Sequence, residues 1–421
     1  MTADPGRTAV PGSRRLLLSS VASVIVAATT SALAQQQRPP QRSQSVPQLP
    51  AQPLRSQPQG TPANTPLGPI DTLARHALIV DFETDAVLLE KEPDVPMPPA
   101  SMSKLMTAYV VFERLRAGRL RLDQELPVSE RAWRMGGSKM FVEIGTAVTV
   151  ENLLRGVIVQ SGNDACIVLA EAISGSEEQF AELLNERARA IGLTRSTFRN
   201  STGWPHPEHR MTCRDLALLA KRLITDFPDY YRMYSERSFR FNNILQENRN
   251  PLLYRNLGAD GLKTGHTEES GFGLTASAIQ GGRRVILVVN GLPSMRARAE
   301  ESERLMRWAF AEFENVRLFT AGETVELVPV HLGAKKHVSL VSPHDVVLTM
   351  PRAWRRTARV ALRYTAPLPA PVQRGAALGT LEVSGQGVPA TTLPLVAGED
   401  VPQLGFVQRI VGGLCILAFG F

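Results

Sequence analysis

The chain has 421 residues, 43% of them apolar and 21% charged, with a formal net charge of +7. That length holds two folded domains plus tails, and the apolar fraction is ordinary for globular protein. The positive excess is too diffuse to indicate nucleic acid; it suits an anionic membrane surface or an acidic polymer. The cysteines, Cys166, Cys213 and Cys415, fit no metal site, and no His/Glu/Asp cluster has metal-ligand spacing, so no cofactor and no metal are expected. Cys166 lies in an apolar run and should pack as a small hydrophobe; a disulfide to Cys213 stays open.

Residues 1–34 read as a signal peptide: a charged start at Arg14-Arg15, an apolar run, and the small-residue pattern Ala32-Leu33-Ala34. Paired arginines allow twin-arginine as well as Sec export, and an uncleaved N-terminal anchor is the alternative. In residues 35–70, nine prolines and nine glutamines fill half the positions, which predicts a disordered linker. Residues 71–313 should form one domain. It opens with a strand pair, 75–82 and 86–91, joined by a turn at 83–85. Helical periodicity then dominates to about 225, including an amphipathic stretch at 177–191. Strands return at 271–279 and 284–290, and a helix at 295–313 closes the domain. Strands at both ends with helices between predict an antiparallel sheet flanked by helices. From 314 to 403, short β-rich runs alternate with Gly and Pro turns and predict a small all-β domain; the cluster Arg352, Arg355, Arg356 and Arg359 there reads as a solvated face. The tail, 404–421, is apolar apart from Arg409. Twelve helical residues reach about 18 Å, short of the roughly 30 Å hydrocarbon core, so the tail reads as an interfacial anchor or a helix docked on the β domain.

Three short motifs carry chemistry. Ser101-Met102-Ser103-Lys104 puts a hydroxyl and an amine three residues apart, on one face of a helix whose apolar positions follow at Leu105, Met106, Tyr109 and Phe112. A lysine can accept a proton from serine only when neutral, and burial with neighbouring cations favours that form. Ser161-Gly162-Asn163 lies between two apolar stretches, at a turn. Its hydroxyl can relay a proton, and the Asn163 amide can hold Lys104 and a substrate backbone. Lys263-Thr264-Gly265 follows an Asp-Gly turn and leads into a strand. It offers a charge, a hydroxyl and room for substrate backbone at a strand edge. Each motif alone has an ordinary structural reading: a surface Ser/Lys pair, a helix cap, a strand-entry turn. Their joint occurrence, in a chain with only seven lysines, favours catalysis.

The order S-x-x-K, S-x-N, K-T-G resembles that of penicillin-binding proteins and serine β-lactamases. The wider segments, Pro99 to Thr107, Gln160 to Ala165 and Asp260 to Thr267, resemble the low-molecular-mass, membrane-anchored D-alanyl-D-alanine carboxypeptidases. The resemblance spans 71–421. It implies an α+β fold: a three-layer, transpeptidase-like (β-lactamase-like) domain with an antiparallel sheet, then a small all-β domain. It implies Ser101 as nucleophile, Lys104 as base and Ser161 in proton transfer. Asn163, Lys263, Thr264, Gly265, His266 and Arg298 would bind substrate, with backbone N–H groups of Ser101 and His266 forming the oxyanion hole. Arg296 competes with Arg298 for its position, and His266 is expected to act through its backbone. The expected partners are peptidoglycan pentapeptide stems, β-lactam inhibitors and an anionic membrane surface. The expected location is periplasmic, attached to the outer face of the cytoplasmic membrane by the C-terminal segment.

Rivals on the same fold are a β-lactamase, a D,D-endopeptidase and a slowly deacylating sensor or scaffold. The β-lactamase reading needs an E-x-x-L-N glutamate. Glu182-Leu183-Leu184-Asn185 is one residue too short and sits in an amphipathic helix.

Overall fold

The computed structural model describes residues 60–405 except 357, 386 and 387. The expected export signal, most of the linker and nearly all of the anchor segment fall outside the described residues. Ordered chain starts earlier than expected. Thr61–Ala63 pairs antiparallel with Ile70–Thr72, and Asn64 bridges to Glu90. Linker behaviour therefore cannot extend to residue 70. The local prolines sit in a two-stranded ribbon and its turn, where few backbone donors are needed. The ammonium of Lys91 ties this ribbon down by donating to the carbonyls of Thr61, Thr72 and Ala74.

The first domain is built on a five-stranded antiparallel sheet. Its spatial order is Val87–Lys91, His76–Asp81, Arg283–Leu292, Gly271–Gln280 and Ala259–Thr267. Along the third strand, Ile286 and Val288 face one layer while Val285, Leu287 and Val289 face the other. This is the period-two alternation of a strand whose two faces are both covered. The first layer holds the helices Lys104–Arg116, Asn163–Ser174, Glu177–Ala190 and Cys213–Asp226. On the second, Leu305, Met306 and Ala309 of the helix Met295–Glu312 pack against the sheet. The result is the expected three-layer α+β domain. Cys166 and Cys213 are both buried free thiols, which settles the disulfide question.

A second all-β unit follows directly, beginning with Phe313–Phe319. Its main sheet has six strands, with Arg359–Tyr364 at one edge and Leu368–Pro369 at the other. A separate core of Val328, Val338, Leu340, Leu381 and Leu395 holds it together. The arginine cluster is partly engaged: Arg352 and Arg355 both pair with Glu314.

The two units meet at Asp81, whose carboxylate is fully buried. It accepts from the backbone N–H groups of Glu83 and Thr84, from Arg283 Nε at 2.8 Å and from Asn315 Nδ2 at 3.1 Å. Asn315 belongs to the first β-domain strand, so one carboxylate stitches sheet to β domain. Asp81→Ala removes the partner of a nearly buried guanidinium. It should lower unfolding free energy by about 3–5 kcal/mol in a urea titration; a change below about 1 kcal/mol would contradict the assignment.

Candidate active site

The chain reaches the site through Pro98-Pro99 and a single tight turn, Ala100–Ser103, which runs into the helix Lys104–Arg116. Ala100 holds φ at +48°, a conformation costly for a residue with a Cβ. Ser101 is half-buried at the helix entrance and Lys104 is 1% exposed. Lys104 Nζ lies 2.9 Å from Ser101 Oγ, 2.7 Å from Asn163 Oδ1 and 2.5 Å from the Thr202 carbonyl. Burial is the main reason its pKa falls to about 8; a nearby arginine, Arg249, pushes the same way.

Ser161 follows a widened turn at Gly156–Gln160 and has φ of +64°. The left-handed backbone breaks the helix and faces the side chain toward the cleft. Its hydroxyl is buried, has no hydrogen-bond partner among the described residues and lines the same cleft as Ser101. Asn163 starts the next helix. Its oxygen accepts from Lys104 while its nitrogen donates to Gly136 O at 2.9 Å. Asn163 therefore contacts the lysine; it is not among the residues that line the cleft, and one of its two amide hydrogens goes to a protein carbonyl.

Lys263-Thr264-Gly265 lies on Ala259–Thr267, the edge strand of the sheet. Thr264, Gly265 and His266 line the cleft. Lys263 is 3% exposed and is not among the residues that line it. Burial drives its pKa well below the ordinary lysine value, with Lys104 and Arg249 adding to the effect. Gly265 has a different reason from the one expected. A Cβ there would lie 2.7 Å from Pro99 O, so the glycine lets the strand press against the nucleophile turn. The His266 imidazole is exposed and stacks on Phe272 at 3.8 Å.

The cleft holds about 320 Å³. Besides Ser101, Ser161 and the Lys263 strand it is lined by Ser138, Arg249, Phe272, Met295 and Arg298. Arg298 is 5% exposed, whereas Arg296 is exposed and paired with Glu300. Burial lowers the Arg298 pKa to about 10, and Arg249 adds to that. Among the described residues no carboxylate lines the cleft; the charged groups there are Arg249 and Arg298, which suits an anionic ligand.

Sequence reasoning missed three residues here. Arg249 is fixed between two buried asparagines: Asn248 Oδ1 accepts from Asn250 N, and Asn250 Nδ2 donates to Gly261 O. Its guanidinium donates to Ser138 Oγ at 2.6 Å. Buried Asp164 accepts from the N–H groups of Met140, Phe141 and Val142, pinning the loop that carries Ser138. The Asn-Arg-Asn triplet and the acid after S-x-N were the only signals, and both are ordinary taken alone. With these additions, an alcohol, a depressed-pKa amine, an unpartnered hydroxyl and a cationic pocket stand together, as an acyl transfer needs.

The profile described as D-alanyl-D-alanine carboxypeptidase matches residues 61–294, and that of the penicillin-binding protein 5 C-terminal domain matches 313–403. The chain is 39% identical over 345 residues to D-alanyl-D-alanine carboxypeptidase DacC of Escherichia coli (strain K12), covering 80% of this chain and 86% of that one. It is 35% identical over 360 residues to D-alanyl-D-alanine carboxypeptidase DacA of Haemophilus influenzae, covering 84% and 91%. The crystal structure of penicillin binding protein 5 from Haemophilus influenzae superposes with a TM-score of 0.72 at 35% identity, covering 80% of this chain and 99% of that one.

The tight contact at Gly265 gives a direct test. Gly265→Ala should push the strand from the nucleophile turn and abolish Ser101 labelling by a serine-acylating probe, with the far-ultraviolet circular dichroism unchanged. Normal labelling would show that the contact is dispensable.

Proposed function

The chain belongs to the D-alanyl-D-alanine carboxypeptidase family, and from that premise we propose that it removes the terminal D-alanine from peptidoglycan stem peptides through an acyl-enzyme on Ser101. The observation that carries this reading is the buried, uncharged-prone amine of Lys104 at 2.9 Å from Ser101 Oγ.

In this mechanism Lys104 takes the Ser101 proton as Oγ attacks the carbonyl between the two D-alanines. The backbone N–H groups of Ser101 and His266 receive the developing oxyanion. The carbon–nitrogen bond breaks, Ser161 passes a proton from the Lys104 ammonium to the leaving amine, and D-alanine departs. Water then attacks the ester, one proton returns to Ser101 Oγ, and the shortened stem leaves as a carboxylate. The terminal carboxylate of the substrate would meet Thr264, Arg298 and Arg249, with Lys263 next to Thr264 on the same strand. Two arginines, with no acidic neighbour in the cleft among the described residues, suit the terminal carboxylate of a free chain end. A β-lactam would acylate the same serine.

For location, the reading is periplasmic, with the apolar tail held at an anionic membrane surface. Among the described residues no helix is long and apolar enough to cross a membrane, and the tail lies outside them.

Ser101→Ala should abolish both D-alanine release and labelling by a fluorescent penicillin. Lys104→Arg should do the same, because a guanidinium does not give up its proton. Retained release in either variant would contradict the assignment. The reactive form of Lys104 is the amine, so the acylation rate should climb as pH rises through about 8 and level off above it; a rate flat from pH 6 to 10 would contradict the base role. Removing residues 404–421 should move the protein from the membrane to the soluble fraction. Membrane retention would exclude the tail as anchor.

A further inference from the structure

Lys104 Nζ has three oxygen neighbours, and they differ in one respect. Asn163 Oδ1 and the Thr202 carbonyl can only accept, while Ser101 Oγ can also donate. An ammonium satisfies all three. A neutral amine has two N–H groups and one lone pair. The two pure acceptors take the two hydrogens, and the lone pair is left for the Ser101 hydroxyl. Asn163 is fixed in the required orientation because its nitrogen donates to Gly136 O. The direction of the lone pair then depends on where the Thr202 carbonyl stands.

That carbonyl belongs to the turn Asn200-Ser201-Thr202-Gly203-Trp204, which is built around one side chain. Asn200 Oδ1 accepts from Thr202 N at 3.2 Å, Thr202 Oγ1 at 3.1 Å, Gly203 N at 2.8 Å and Trp204 N at 3.0 Å. Its Nδ2 donates to Trp204 O. Neighbouring groups lock the same turn into the core. Ser201 N and Oγ donate to Glu177, and Thr107 Oγ1 donates to Ser201 O. Gly203, at φ of +79°, is so close to the nucleophile turn that a Cβ would stand 2.0 Å from Ala100 O.

We propose that Asn200 is a positioning residue for the acylation step, fixing the Thr202 carbonyl that aims the lone pair of Lys104 at Ser101. The inference rests on Lys104 being the base in the proposed reaction. Asn200 lies outside all three motifs and touches neither Lys104 nor the cleft lining. It acts through one backbone oxygen. The other titratable or charged groups facing Lys104 are Cys166 and Asp164 from one helix, Glu177 from the next, Lys263 from the edge strand, Arg249, and His209 from the loop beyond Trp204. Asn200 substitutions leave all of these in place.

The experiment measures the acylation rate constant of the full chain with a fluorescent penicillin from pH 6 to 10, per labelled site, together with the penicillin concentration that half-saturates that rate. Misplacing a reacting group by about 1 Å costs on the order of 10²-fold. Asn200→Ala should therefore slow acylation by on the order of 10²-fold at every pH, with the half-saturating penicillin concentration unchanged because the carboxylate pocket is untouched. Asn200→Asp keeps an oxygen acceptor for all four donors. It loses the donor to Trp204 O, so it should recover most but not all of the plateau rate, and it should move the rising limb to higher pH, because an added carboxylate favours the ammonium. Should Asn200→Ala fail to fold, Asn200→Ser supplies the same readout, since a short hydroxyl cannot reach all four donors. An Asn200→Ala or Asn200→Ser rate per labelled site within twofold of the parent, with the same limb, would overturn the proposal and leave only a structural cap. Lys104→Arg run beside them separates the two claims. If it acylates, the base assignment fails and this inference with it; if it is inert while the Asn200 variants are normal, only this inference fails.

Discussion

A lysine amine held out of water with no carboxylate in contact is the constraint around which this domain is organised. An unpaired buried ammonium is costly, and the group answers by giving up its proton more readily. Lys104 is 1% exposed, and oxygens that carry no full charge surround its nitrogen. The pocket beside it adds Arg249 and Arg298, and Lys263 is a neighbour. Two guanidiniums and two lysines whose burial favours the neutral amine thus share a small volume with an unoccupied hydroxyl, Ser161. Such an arrangement is poor for folding stability and good for taking a proton from serine and receiving an anion. It persists because the surrounding structure over-determines it.

The over-determination is visible segment by segment. The nucleophile turn is pressed from one side by Gly265 and from the other by Gly203, each at a distance no side chain allows. Asp164 holds the Ser138 loop, Asn248 and Asn250 hold Arg249, and Asn200 holds the Thr202 carbonyl. None of these supports is a motif residue except by adjacency. They convert a strained backbone at Ala100 and Ser161 into a fixed geometry, with hydrogen bonds offsetting the strain.

What the sequence made legible follows from range. Ser101 and Lys104 are one helical turn apart, so their meeting is a local fact. The alternation at 284–290 and the helical period at 295–313 are local too, and both elements stand where they were read. Gly265 was legible as a glycine but not for its reason, since the atom it avoids is Pro99 O, far away in sequence. The Lys104–Thr202 contact spans 98 positions and the Arg249–Ser138 contact 111, and no periodicity reports such pairs. Arg298 could be told from Arg296 only by burial. The ribbon at 61–72 was hidden by its prolines, whose composition resembles that of the preceding segment although Lys91 binds it to the sheet.

The central claim is that Lys104 exchanges its proton near neutrality, and the titration of that one amine is the direct test. With seven lysines in the chain, uniform ¹³C-lysine labelling gives a resolvable set of ε-carbon resonances, and Lys104→Arg identifies the signal by its loss. The expected Lys104 midpoint in the unacylated enzyme is about 8. A midpoint near the ordinary lysine value of about 10.4 would contradict it, because the group said to accept the Ser101 proton would then still carry its own.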